Sequence, residues 1–270
     1  MDKKEISINQ KKVTYTVAGN GQNGQVVLFI HGFGEHADVW RNQVSFLQNK
    51  FRLIIPDLPG SSDSEMIDDM SMKGLADAIL EILDHEKIDR CTIIGHSMGG
   101  YVLLAFAEKY SARLNAFGLF HSTAFPDTEE KKNNRRKGIS FIQTHGAFEF
   151  LKNTTPNLFS PESQKERPEL IENQVQALTG FTPEALIAYY EAMIQRPDRT
   201  KILQETALPV LFIAGNYDTA VPLNDCLKQS HLPSVSFFHL LENSGHMGML
   251  EESVKANMIL EDFLNKTSAL

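Results

Sequence analysis

A chain of 270 residues is long enough to bury a large core, because the fraction of surface hidden on folding rises with size. Hydrophobic residues at 42% and charged residues at 22% exclude a disordered or membrane-embedded polypeptide and allow one large domain with an insertion. The formal charge of -8 argues against a nucleic-acid partner, since phosphate binding draws on clustered Lys and Arg.

Residues 1–12 are polar and charged and offer no apolar stretch suited to a signal peptide, and no later run approaches the length of a bilayer span. Neither secretion nor a membrane partner is therefore expected. The two cysteines, Cys91 and Cys226, are too few for a disulfide framework, and Cys91 opens an apolar run that reads as a buried strand. A reducing, cytoplasmic setting follows.

Strand candidates occupy 26–30, 52–55, 91–94, 116–120, 210–214 and 235–241, all short, apolar and rich in Val, Ile and Phe. Between most of them lie helical patterns. In 72–85, Leu75, Ile79, Ile82 and Leu83 share one face, and 101–108 follows the same period. Strand alternating with helix predicts an α/β fold with a mainly parallel sheet covered on both faces.

The rhythm breaks over 123–206, a polar, helical stretch with Pro156, Pro161, Pro168 and Pro183 and no strong strand candidate. It reads as a helical cap inserted into a core made of 1–122 and 207–270. The cap aromatics Phe141, Phe148, Phe150, Phe159, Tyr189 and Tyr190 are expected to pack the insertion rather than to line an acyl pocket. The basic run from Lys131 to Lys137 is expected to be a solvated helix face rather than an anion site.

The most specific local pattern is Gly95-His96-Ser97-Met98-Gly99, which follows an apolar strand and opens a helix. A nucleophilic serine needs a sharp strand-to-helix turn that exposes Oγ, and small neighbours at Gly95 and Gly99 permit that backbone. Upstream, 26–30 runs into His31-Gly32-Phe33-Gly34. An oxyanion needs two preorganised N–H donors, and the backbone groups of Phe33 and Met98 are the candidate pair.

A serine hydroxyl also needs a base, and nine histidines compete. His246 lies on a loop directly after the last strand candidate, at the carboxyl edge where open α/β sheets bind ligands. His239 and His85 are better read as packing or surface residues, while His31, His96 and His121 are placed to line a pocket without being the base. Asp218 follows 210–214 and is the candidate that holds the imidazole in one tautomer. The loop after 116–120 runs Phe120-His121-Ser122-Thr123 and offers no carboxylate.

With HGFG at 31–34, PDLPG at 56–60, GHSMGG at 95–100, GNYDTAVP at 215–222 and SGH at 244–246, the chain resembles the α/β-hydrolase superfamily, in particular its small capped, esterase-like members. The resemblance runs from Val26 to the C-terminus and implies a Ser97-Asp218-His246 triad acting on a small-molecule acyl substrate, with neither metal nor organic cofactor. One departure is Gly60-Ser61-Ser62-Asp63-Ser64, where the family often has GxGxS. Ser97 in place of Asp disfavours dehalogenase or epoxide hydrolase chemistry, and Met98 in place of Trp weakens a proline iminopeptidase. Carboxylester cleavage leads. Lactonase, thioesterase, carbon-carbon hydrolase, perhydrolase and menaquinone-pathway synthase chemistry stay open, as does a non-catalytic ligand-binding member of the fold.

Overall fold

Runs of Val, Ile, Leu and Phe become strands because branched and aromatic side chains suit a pleated, covered surface. The computed structural model describes residues 1–21 and 24–267. Its strands are β1 (Asp2–Ile8), β2 (Lys11–Ala18), β3 (Val26–Ile30), β4 (Arg52–Pro56), β5 (Cys91–His96), β6 (Leu114–Phe120), β7 (Val210–Gly215) and β8 (Ser236–Leu241). They form one eight-stranded sheet in the order β1-β2-β4-β3-β5-β6-β7-β8. From β4 to β8 neighbouring strands run parallel, while β2 pairs antiparallel with both β1 and β4.

The hairpin β1-β2 was not expected from residues 1–12. Its first strand is an exposed edge strand rich in charge, so no apolar signal marks it. The turn is legible in hindsight: Asn9 and Gln10 take φ of 49° and 69°, the positive pair that a two-residue hairpin loop requires.

Helices α1 (Arg41–Leu47), α2 (Met72–His85) and α3 (Met98–Tyr110) lie in the first half of the chain. Between β6 and β7 come α4 (Glu129–His145), α5 (Ala147–Thr154), α6 (Pro161–Glu166), α7 (Pro168–Gln176), α8 (Pro183–Gln195) and α9 (Thr200–Glu205). The chain ends through α10 (Leu223–Ser230), α11 (Gly248–Glu251) and α12 (Ser253–Thr267). Pro161, Pro168 and Pro183 open α6, α7 and α8, where a missing N–H costs nothing, and Ser160 and Thr182 cap two of these helices. Among the described residues no helix is long and apolar enough to cross a membrane.

Alternation along β3 sends Leu28 and Ile30 into the core layer with Leu75, Ile79 and Leu103, and Val27 and Phe29 into the layer with Trp40, Leu47 and Leu260. Helices on both faces thus leave the carboxyl ends of the parallel strands as the open edge. The loops after β3, β5, β6, β7 and β8 emerge there and carry Phe33, Ser97, His121, Asp218 and His246.

At the GxGxS departure, Ser62 itself adopts φ 50° beside Gly60 at 92°. The loop keeps its left-handed bend without the second glycine. Hydrogen bonds of Ser61 Oγ to the Leu58 carbonyl and of Ser64 Oγ to the Asp57 carbonyl hold it closed.

Candidate active site

Ser97 sits between β5 and α3 with φ 51° and ψ -116°, a strained backbone for any L residue. The turn is clamped by the Ser97 N–H donating to the Phe120 carbonyl at 3.0 Å and by Ser122 Oγ donating to the Ser97 carbonyl at 2.7 Å. Every residue from Cys91 to Gly100 is buried except Ser97, so the turn lifts one side chain out of the core. Close packing leaves no room for side chains at the flanks. A Cβ on Gly99 would lie 2.4 Å from the Ile30 carbonyl oxygen, and one on Gly95 would lie 2.5 Å from that of Gly99. Both obstacles are backbone. Gly99→Ala is therefore expected to destabilise the fold by about 3 kcal/mol or more, read as a fall in the denaturant midpoint. An unchanged midpoint would contradict the close approach of α3 to β3.

The backbone N–H groups of Phe33 and Met98 donate to no protein acceptor among the described residues. Met98 opens α3, where the first N–H groups lack intrahelical partners. Phe33 is fixed by its ring, which stacks on Tyr190 at 4.2 Å. Gly32, just before it, donates its N–H to Glu35 Oε2 at 2.6 Å.

Glu35 and His96 form a buried pair, Oε2 to Nδ1 at 2.9 Å, and His96 Nε2 donates to the His246 carbonyl at 2.9 Å. Burial favours the neutral acid at Glu35, but the adjoining His96 ring and the Gly32 N–H outweigh it and hold the carboxyl below its ordinary range. One side-chain chain thus ties the Phe33 loop, the residue before Ser97 and the His246 loop together. His31 supports the same loop from behind, with Nε2 accepting from the Leu58 N–H at 3.0 Å.

His246 Nδ1 donates to Asp218 Oδ2 at 2.8 Å, and Asp218 Oδ1 accepts from the N–H groups of Ala220 and Val221 at 2.9 and 2.8 Å. Burial alone would push Asp218 up, yet the adjoining His246 and His121 rings leave it well below the usual carboxylate range. Burial likewise opposes charge on His246, and the Asp218 carboxylate, helped by Glu35 and Glu251, raises its pKa above 6.5. Glu251 also accepts from the N–H groups of Gly245 and Ser160, and the His246 N–H donates to the Leu158 carbonyl at 2.6 Å. The His246 loop is therefore pinned to the helical segment above it.

His121 was expected only to line a pocket. Its Nδ1 stands 3.1 Å from Asp218 Oδ2 without hydrogen-bond geometry, and its Nε2 accepts from the Gly248 N–H at 3.2 Å. Burial pushes this imidazole down to about 4, so it stays neutral. A position at a strand end carries no local mark of contact with the carboxylate of another loop. Among the described residues, His121, Asp218 and His246 form the group whose donor atoms converge as a metal site would, within 4.8 Å. Here the donors are engaged with one another: Oδ2 receives the Nδ1 proton of His246 and faces the Nδ1 side of His121.

Ser97 and His246 line one cavity of about 160 Å³ together with Phe33, Glu35, Tyr101, Arg135, Thr154, Leu158, Tyr190, Met193, Ala220 and Val221. Two expectations change here. Phe150, Phe159 and Tyr189 pack the helices as predicted, but Tyr190 reaches the cavity. In the basic run Asn133, Asn134, Arg136 and Lys137 are exposed, whereas Arg135 turns inward to the cavity.

Residues 25–253 match the family described as alpha/beta hydrolase fold. The chain is 25% identical over 258 residues to 3-oxoadipate enol-lactonase 1 of Acinetobacter baylyi, covering 95% of each. It is 28% identical over 269 residues to a 2-hydroxy-6-oxononadienedioate/2-hydroxy-6-oxononatrienedioate hydrolase of Paraburkholderia phymatum, covering 94% of this chain and 91% of that one. A thermophilic esterase from Thermogutta terrifontis, solved with malate bound, superposes with a TM-score of 0.91 at 28% identity over 99% of both chains. With the match spanning most of its length and the sheet ordered as above, the chain belongs to the α/β-hydrolase fold family and is an enzyme of that type.

Proposed function

We propose that the protein is a serine hydrolase that cleaves a carboxylic ester or lactone of a small molecule through an acyl-enzyme on Ser97. The observation that carries this reading is the 2.8 Å hydrogen bond from His246 Nδ1 to Asp218, on a loop that shares a cavity with Ser97. It puts the imidazole proton on Nδ1 and leaves Nε2 bare to accept one.

In the first half-reaction His246 Nε2 takes the Ser97 proton as Oγ attacks the acyl carbonyl. The carbonyl oxygen becomes an oxyanion between the Phe33 and Met98 N–H groups, which have no competing acceptor among the described residues. The tetrahedral species collapses, His246 returns its proton to the leaving alkoxide, and Asp218 stabilises the transient imidazolium. Water then repeats the sequence on the acyl-enzyme, releasing the acid and restoring Ser97. The helical segment over the cavity acts as a cap that shapes the acyl pocket. Both thiols are free and buried, and unpaired cysteines suit a reducing compartment.

A cavity of about 160 Å³ is close to the size that admits a benzene-like guest. p-Nitrophenyl esters from acetate to butyrate should therefore exceed the octanoate in kcat/KM by about tenfold or more, since each overpacked chain loses transition-state contacts. The assay is paired with a fluorophosphonate label. Folded protein that takes no label and turns over none of these esters would sink the reading, and a preference for octanoate would sink the pocket size.

A further inference from the structure

Arg135 and Arg196 share a single counter-ion. Asp127, with a fully buried side chain, accepts from Arg135 Nε at 2.6 Å and Nη2 at 3.2 Å, and its Oδ1 lies 2.9 Å from Arg196 Nη1. Arg196 is 3% exposed, lies over the Tyr101 ring at 3.8 Å and also donates to the Met193 and Phe125 carbonyls. The two guanidiniums and one carboxylate leave this trio with one positive charge in excess. Arg135, 19% exposed, is its member in the lining of the cavity that holds Ser97 and His246.

Its geometry matters as much as its charge. Asp127 occupies the Nε/Nη2 side of the guanidinium, and Nη1 donates to no described residue. The guanidinium, a planar fork in the cavity lining, is held by Asp127 on that side and by the Tyr190 ring at 5.5 Å, which leaves its Nη1 end for a ligand. The carboxylate that could compete, Glu35, is engaged by the Gly32 N–H and His96, and Asp218 is engaged by His246.

We infer that Arg135 reads a carboxylate on the substrate, so that the preferred ester or lactone is a small, negatively charged one. A carboxylate matches the guanidinium fork in plane and charge, and the partly water-excluded wall strengthens the contact over one in open solvent. Recognition sits on α4, the helix that carries Arg135. The inference rests on the serine hydrolase reading for its chemistry, but its binding step is measurable without turnover.

The test is calorimetric titration of the Ser97→Ala protein with monomethyl succinate and monomethyl glutarate, each beside its neutral half-amide, methyl succinamate or methyl glutaramate. At least one acid is expected to bind about 10- to 100-fold tighter than its amide, the range of a charge-assisted hydrogen bond. That ratio should collapse toward one in Ser97→Ala/Arg135→Gln and be partly retained in Ser97→Ala/Arg135→Lys. The acid-amide comparison needs no change at Arg135, so poor folding of the double variants leaves it decisive. Acids that bind no better than amides, or a preference that survives Arg135→Gln in folded protein, would overturn the assignment. If the preference holds while wild-type protein cleaves no ester and takes no fluorophosphonate, the subsite stands and the serine hydrolase reading falls. Turnover of neutral esters with no acid preference means the reverse.

Discussion

Ser97→Ala is expected to lower ester turnover by about a million-fold, the loss that follows when a serine hydrolase is deprived of its nucleophile. The change should leave the fold intact. The hydrogen bonds that clamp the turn run through the Ser97 N–H and carbonyl, not its hydroxyl. Alanine meets the same strain at φ 51° that serine already bears. Steady-state assays, labelling and thermal melts together read the outcome: activity and label vanish while the melting temperature stays within a few degrees. A Ser97→Ala protein that retained a tenth of the activity and still took the label would place the nucleophile elsewhere.

Asp218→Asn should cost about ten-thousand-fold in kcat, because an amide N–H can donate to an unprotonated Nδ1 of His246 and strand the ring proton on Nε2. The pH profile supplies the sign. In the native protein Asp218 raises His246 above 6.5, and the base works only when neutral, so kcat/KM should climb with pH through that raised value and then level. Without the carboxylate, burial remains as the dominant influence and lowers the histidine. The residual activity should therefore have its inflection on the acid side of the native one. His121 cannot substitute for the lost carboxylate, since an imidazole supplies either no charge or a positive one. An inflection that stays put or moves to alkaline pH would show that Asp218 does not set the protonation of His246.

These expectations draw on two kinds of information. Short apolar runs, the small residues at Gly95 and Gly99 and the loop positions of Phe33, Asp218 and His246 are local patterns, and local patterns are legible because strand burial and tight turns restrict which side chains fit. For that reason the parallel sheet and the helical stretch between β6 and β7 could be drawn from residue order alone. The charged edge strand β1 could not, because a strand that faces water needs no apolar alternation, and its partner β2 was lost with it.

Contacts between loops distant in sequence were equally out of reach. His121 near Asp218, His96 bridging Glu35 and the His246 carbonyl, and Arg135 sharing Asp127 with Arg196 each join residues from separate segments. In the chain, Arg135 is one cation in a run of several, and nothing local distinguishes it from Arg136, which is exposed. The sequence by itself determined the six parallel strands, the sharp turn at Ser97 and the loops that could carry a base, an acid and two N–H donors. Only the tertiary structure decided which charges face the cavity and which are already spent on a partner, because that depends on how helices pack across the sheet edge and not on any residue's neighbours in the chain.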